Sequence, residues 1–195
     1  MSGWRGERSH HASLSLENIT NTLCLSSSFV RIFFAAFFPP LLIDGVGFEA
    51  HPQNTLIRIS SNANTPRILG FVIRDFGGIR VHPETLRKST GIELESYAIP
   101  GHSVIANTIE DVYVRMYHTV FHNHLQQLIR VLGLHYSGKG WDIVRKCLRE
   151  QIPTGHPLER AWLGEETRTV PGKCYMRMRM AGAYRFVSMP LPSFE

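Results

Sequence analysis

Cysteine is scarce in this sequence. Cys24, Cys147 and Cys174 are the only three in 195 residues, far apart and in no Cys-x-x-Cys pair. An odd, dispersed set argues against a disulfide scaffold, a zinc knuckle and an iron–sulfur cluster held within the chain. It fits a reducing, cytoplasmic setting. Blocks of like charge are missing too. The net charge is +5 and the pI near 9.4, yet the basic residues stand singly and no zinc-finger or RNA-recognition signature accompanies them, which argues against a nucleic-acid partner. The most apolar stretch, FVRIFFAAFFPPLLI (29–43), reads as too short for a bilayer, carries Arg31 and is interrupted by Pro39-Pro40. It also lies too deep in the chain for an ordinary signal peptide, so no membrane partner is expected.

What is present suffices for a core. Hydrophobic residues make up 43% and charged ones 19%, a balance that favours one folded domain, or part of a larger protein, over disorder. Residues 1–28 are Ser- and His-rich with poor periodicity and read as a poorly structured N-terminal segment, leaving 29–195 as the domain. Residues 29–38 predict an apolar helix ended by Pro39-Pro40. TLIRIS (55–60) and RILGFVIRDF (67–76), joined by the polar turn SNANTP, predict a β-hairpin. Gly77-Gly78 permits a sharp turn after it. Tyr113, Tyr117, Val120, Phe121, His124, Leu128 and Leu132 recur at three- and four-residue steps, predicting a helix over 108–132 capped by Gly133. Shorter helices follow at 141–152 and 156–163, the latter with Thr154 or Gly155 near its start. The end, 173–192, alternates as strand–turn–strand. The fold class is α+β: a β-hairpin, a mostly helical body and a C-terminal strand pair.

The stretch FEAHPQNTLIRI (48–59) crowds Glu49, His51, Gln53 and Asn54 onto the mouth of a strand. Such groups must satisfy one another, face water or hold a ligand, because unpartnered burial is costly. Closing the hairpin brings them toward Arg74 and Asp75. The Asn54 amide oxygen and the Asp75 carboxylate suit Mg²⁺, which keeps waters and phosphate oxygens as its remaining ligands. Protein kinases use an Asn and the Asp of a D-F-G motif in the same way. The reading is a metal–nucleotide site in which His51 meets a phosphate or a substrate carboxylate and Arg74 or Arg80 adds positive charge. Plainer roles stay open: Asp75 accepting backbone bonds in the glycine turn, or Glu49 pairing with Arg58 or Arg74. His118, His122 and His124 resemble a metal cluster, but the first two share one helix face and the third lies in the apolar stripe, as expected for satisfied histidines. Met176, Met178 and Met180 read as core. Tyr175, Arg177 and Arg179 read as a strand face that is solvated or meets an anion.

Four segments, GVGFEAHPQNTLIRI, GFVIRDFGGIRV, YHTVFHNHLQQLIRVLG and KCYMRMRM with YRFVSMPLP, together resemble the C-terminal domain of the IucA/IucC-type (aerobactin-type) siderophore synthetases, in the same order and from about residue 33 onward. The resemblance implies a remotely kinase-like C-terminal lobe and ATP-dependent ligation in siderophore biosynthesis. A citrate-like carboxylic acid would be activated as an acyl-adenylate and joined to an amine or hydroxyl of a polyamine or hydroxylated amino acid. It implies His51 as the group contacting the acid and the α-phosphate. Gln53, Asn54, Asp75 and Arg74 would hold ATP, with Asn54 and Asp75 on Mg²⁺. Glu49, Lys173, Arg177 and Arg179 are weaker substrate-binding candidates. A homodimer is a further partner to expect. Family members are much longer, and their N-terminal half supplies a Ser/Thr-Arg-Thr phosphate grip, a Lys and an Arg that have no match here. A fragment of a larger enzyme follows, binding nucleotide weakly and lacking groups needed for turnover. The alternatives are a ferric-siderophore reductase of the FhuF type, which would need a cysteine cluster, and a non-catalytic iron-uptake-associated module.

Overall fold

An aromatic stripe organises the N-terminal helix. In the computed structural model, which describes residues 16–60, 67–94, 102–164, 169–173 and 186–190, helix α1 spans Leu16–Asp44. Phe29, Val30, Phe33, Phe34, Phe37, Phe38 and Leu41 are buried along one side of it at helical steps. The stripe runs straight through Pro39-Pro40, which lie inside the helix rather than ending it. These prolines remove the N–H groups that would bond the Ala35 and Ala36 carbonyls. Ala35, Ala36 and Pro39 all sit on the exposed side, where water can serve those carbonyls. Burial of Leu41 beyond the break keeps the helix going. Gly45 then ends it with φ 65°, the left-handed conformation.

The helix begins at Leu16, not at Phe29. Residues 16–28, expected to be poorly structured, therefore belong to it, with Ser26 buried and Leu23 packed on the core. The stretch Thr22–Asp44 is long and apolar enough to cross a membrane by length and composition, which corrects the expectation that this region is too short. Its apolarity has a local use: Phe33, Phe34 and Phe38 are wholly buried inside the domain.

Among the described residues, three two-stranded antiparallel ladders follow. Strand β1 (Val46–Gly47) pairs with β4 (Arg80–Val81), β2 (Thr55–Ile59) with β3 (Ile68–Ile73), and β5 (Thr169–Lys173) with β6 (Phe186–Pro190). The β2–β3 ladder is the expected hairpin. Phe71 fastens it to α1, with ring centroids 5.2 Å from both Phe29 and Phe33 and 6.0 Å from Phe37. The β5–β6 ladder is the C-terminal strand pair. Residues 174–185, with the methionine stripe, Tyr175, Arg177 and Arg179, lie outside the described residues.

The helical body starts with α2 (Pro83–Thr90), unforeseen from sequence although Pro83 opens it and left-handed Gly91 closes it. The expected helix at 108–132 is a composite. A capping box of Thr108 and Asp111 starts α3 (Ile109–Tyr117). A π-helical segment, His118–Leu125, follows, and α4 (Gln126–Val131) completes it. Helix α5 (Lys139–Gln151) packs across α1 and α6 (Pro157–Leu163) against α3. Trp162 ties the layers together: its ring lies 5.6 Å from Phe38 and 5.3 Å from Phe121, and its indole N–H donates to the Tyr113 carbonyl at 3.3 Å. The architecture is α+β.

Candidate functional site

Two loops, 48–54 and 74–79, run antiparallel between two ladders. Gly47 opposite Arg80 closes one end and Thr55 opposite Ile73 closes the other. The Arg74 N–H donates to the Asn54 carbonyl at 3.1 Å, carrying the hairpin pairing into the loop. Glu49, His51, Gln53 and Asn54 therefore share one enclosed ring of backbone with Arg74 and Asp75. A tight turn builds the first loop. The His51 carbonyl accepts both the Asn54 N–H and the Thr55 hydroxyl at 3.0 Å, and the His51 N–H donates to the Glu49 carbonyl at 3.0 Å.

The side chains divide by exposure. Gln53, Arg74 and Asp75 are exposed, and Glu49 and His51 half-buried. Asn54 is 5% exposed and makes no side-chain hydrogen bond among the described residues. One Asp75 oxygen, Oδ1, accepts the Gly77 N–H at 2.8 Å, the turn role its position suggests, and the other makes no bond among the described residues. Glu49 lies over the second loop: a Cβ at Gly78 would overlap the Glu49 carboxylate and come 2.7 Å from Glu49 Cβ. Gly78 is thus required by close approach as much as by turning. The Arg80 guanidinium donates to the Ile79 carbonyl at 2.9 Å. Lys173 falls in β5 with its side chain outside the described residues, as are Arg177 and Arg179 altogether.

The π-helical segment stands behind the first loop. His124 Nδ1 contacts the Ala50 carbonyl at 2.8 Å, and the Thr119 hydroxyl lies 3.4 Å from the Phe48 carbonyl and 3.1 Å from that of Met116. Burial pushes the His124 imidazole below its usual range, partly opposed by the Ala50 bond. His118 and His122 face each other with Nδ1 atoms 3.2 Å apart, and the Asn123 amide reaches His118 Nε2 at 3.3 Å. His122 is also pushed down by burial, and its Nε2 is buried without a partner. Thr119 escaped the sequence reading, Gly78 was read only as a turn residue and not as the space Glu49 fills, and His124 was seen only as core. The five-residue step from Thr119 to His124 is the signal that could have exposed the first and third.

Among the described residues no group of three His, Cys, Asp or Glu could hold a metal ion alone. The Asn54 amide oxygen and the Asp75 carboxylate are oxygen donors of the kind that Mg²⁺ takes beside waters and phosphate oxygens.

The chain matches the family described as "Ferric iron reductase FhuF-like transporter" over residues 26–185. It is 49% identical over 159 residues to the NRPS-independent siderophore synthetase rfs of Rhizopus delemar, covering 81% of this chain and 24% of that protein. It is 30% identical over 165 residues to staphyloferrin A synthase of Staphylococcus aureus, covering 79% of this chain and 26% of the relative. The chain thus spans about a quarter of the length of these curated relatives. The crystal structure of the petrobactin biosynthesis protein AsbB from Bacillus anthracis superimposes with a TM-score of 0.57 at 14% identity, over 83% of this chain and 30% of that one, a likeness of fold. By sequence and fold together, the chain belongs to the FhuF-like family, as the type of C-terminal domain carried by the siderophore synthetases that work independently of nonribosomal peptide synthetases.

Proposed function

We propose that this chain is the nucleotide- and acid-facing portion of a siderophore synthetase that joins a citrate-like acid to an amine or hydroxyl. The observation that carries the reading is the ring of backbone that gathers Glu49, His51, Gln53 and Asn54 with Arg74 and Asp75. A carboxylate oxygen of the acid attacks the α-phosphorus of ATP and pyrophosphate leaves. The amine or hydroxyl of a polyamine or hydroxylated amino acid then attacks the acyl carbon, and AMP leaves with the electron pair of the broken C–O bond. His51 faces the acid and the α-phosphate, where charge develops and fixed donors lower the barrier most. Gln53 and Arg74 hold phosphate oxygens. Asn54 and Asp75 would hold the Mg²⁺ that neutralises phosphate charge. Glu49, Lys173, Arg177 and Arg179 are the candidates for shaping the acid and amine sites.

Two measurements test this. Millimolar Mg·ATP should protect the fold thermally; at ten times the Kd a single site adds about 1.4 kcal/mol of stability. Citrate-dependent ATP–pyrophosphate exchange should be detectable, and Asp75→Ala should remove both signals. Absence of protection, or protection that survives Asp75→Ala, would overturn the assignment and favour a non-catalytic module. The family's description favours a second reading, a ferric-siderophore reductase. Three cysteines are fewer than the four thiolates an iron–sulfur cluster ordinarily takes, and iron–sulfur absorbance in the purified protein would decide for it.

A further inference from the structure

Two carbonyls of the His51 loop are engaged from behind by one helix. Thr119 lies 3.4 Å from the Phe48 carbonyl and His124 Nδ1 lies 2.8 Å from that of Ala50. In a regular α-helix, residues five apart stand roughly 140° apart around the axis. In a π-helix, whose bonds run from i to i+5, they stack on one side. Both residues lie in the π-helical segment His118–Leu125, so the wide turn is what lets them reach the same loop.

The His124 ring is locked in place. It is 7% exposed, with ring centroids 4.8 Å from Phe33 and 5.6 Å from Phe29. Ala50 is fully buried, so its carbonyl would stand unpaired without this partner. We infer that His124 is the positioning residue for His51: its Nδ1–H fixes the peptide that enters His51 and so aims the imidazole. A carbonyl accepts only, so Nδ1 carries the proton, and burial pushes the ring toward the neutral form, in which Nε2 is bare. The catalytic meaning of this grip rests on the proposed role of His51; the grip itself does not.

The test uses the full chain labelled with ¹⁵N and ¹³C. Long-range ¹H–¹⁵N spectra at neutral pH should find His124 protonated at Nδ1 and bare at Nε2; the opposite tautomer overturns the inference. Two variants then separate the donor from the ring. His124→Phe keeps an aromatic body but no donor, whereas the Asn amide nitrogen of His124→Asn falls near the place of Nδ1. The His51 ring signal, assigned by its loss in His51→Gln, should shift and broaden in His124→Phe and hold its place in His124→Asn. Mg·ATP affinity should fall about tenfold in the first and stay within about threefold in the second. An unmoved His51 signal in His124→Phe overturns the inference. If that variant does not fold, the wild-type tautomer and the His124→Asn spectrum decide, a displaced His51 signal in the latter counting against it. If the wild type binds no Mg·ATP, the proposed function fails while the His51 signal still judges the positioning.

Discussion

Acidification should weaken this fold well before its carboxylates titrate. His122 and His124 are both desolvated, and burial holds both imidazoles below their usual range. Unfolding returns each to water, with a pKa near 6.5. As the pH falls through that value, the unfolded chain takes up protons that the folded chain refuses. Stability therefore rises with pH over this interval, is complete above the unfolded pKa and is lost on the way down toward the depressed folded values. One proton corresponds to about 1.36 kcal/mol per pH unit, an upper bound for each ring. His122 is only half-buried, so solvent screens its share, and the measured slope should lie below the two-proton bound with His124 carrying more of it. The other perturbed groups act elsewhere. Burial pushes Tyr113, Tyr117 and Cys147 up, away from this window, and Lys88 holds Glu84 below it. Urea unfolding at half-unit steps from pH 8 to 5 measures the slope directly. His124→Asn removes the more deeply buried ring and should lower it. A flat profile down to pH 5.5, or a slope indifferent to His124→Asn, would refute the assignment of these rings as buried and neutral.

Other substitutions probe separate contacts. Phe71→Ala removes the ring that seats the hairpin on Phe29, Phe33 and Phe37; with Phe71 half-buried, a loss of about 2–3 kcal/mol is expected, and a urea-derived loss under about 1 kcal/mol would mean that the hairpin is held elsewhere. Gly78→Ala drives a Cβ into Glu49 and should cost about 1–3 kcal/mol, part of it recovered in a Gly78→Ala, Glu49→Gly double variant that also removes the Glu49 Cβ. Additive losses in that cycle would refute the contact. Tyr117→Phe deletes a hydroxyl buried without a partner and should leave stability unchanged or raise it by up to about 1 kcal/mol in chemical denaturation; a clear loss would reveal a bond the structure lacks.

Legibility in the sequence followed range. The hairpin could be read because alternation over 55–60 and 67–76 is a local signal, and the glutamate, histidine and amides at its mouth are neighbours in sequence. The run of α1 through Pro39-Pro40 could not. The proline rule weighs two lost hydrogen bonds, whereas the outcome depends on Leu41 and the phenylalanines burying a continuous stripe against the rest of the domain. The pairing of Val46 with Val81 and Gly47 with Arg80 is too short to leave a pattern. The π-helical segment hid inside an averaged period of 3.6, which fits seven residues in and around it, His124 among them, while misplacing Thr119. Their partners, Phe48 and Ala50, lie 71 and 74 residues away, and no local rule reaches that far.

The spacing of the motif is a mechanical consequence of this arrangement. Both ends of the 48–54 and 74–79 loops are pinned by strand pairs, so an inserted residue in either would break a ladder or bulge the loop away from its partner. Inside the ring, each small residue answers a neighbour: Ala50 is fully buried before the helix carrying His124, and Gly78 yields space to Glu49. Asn54 answers no neighbour: its amide, on a residue 5% exposed, makes no side-chain bond among the described residues and keeps only a sliver of contact with water. On the proposed reading an ion and its phosphate supply the partner that this amide lacks. Asn54→Leu should then raise the stability of the free chain, or leave it unchanged, while abolishing thermal protection by Mg·ATP. A variant that lost stability and kept that protection would make Asn54 a structural residue and remove it from the site.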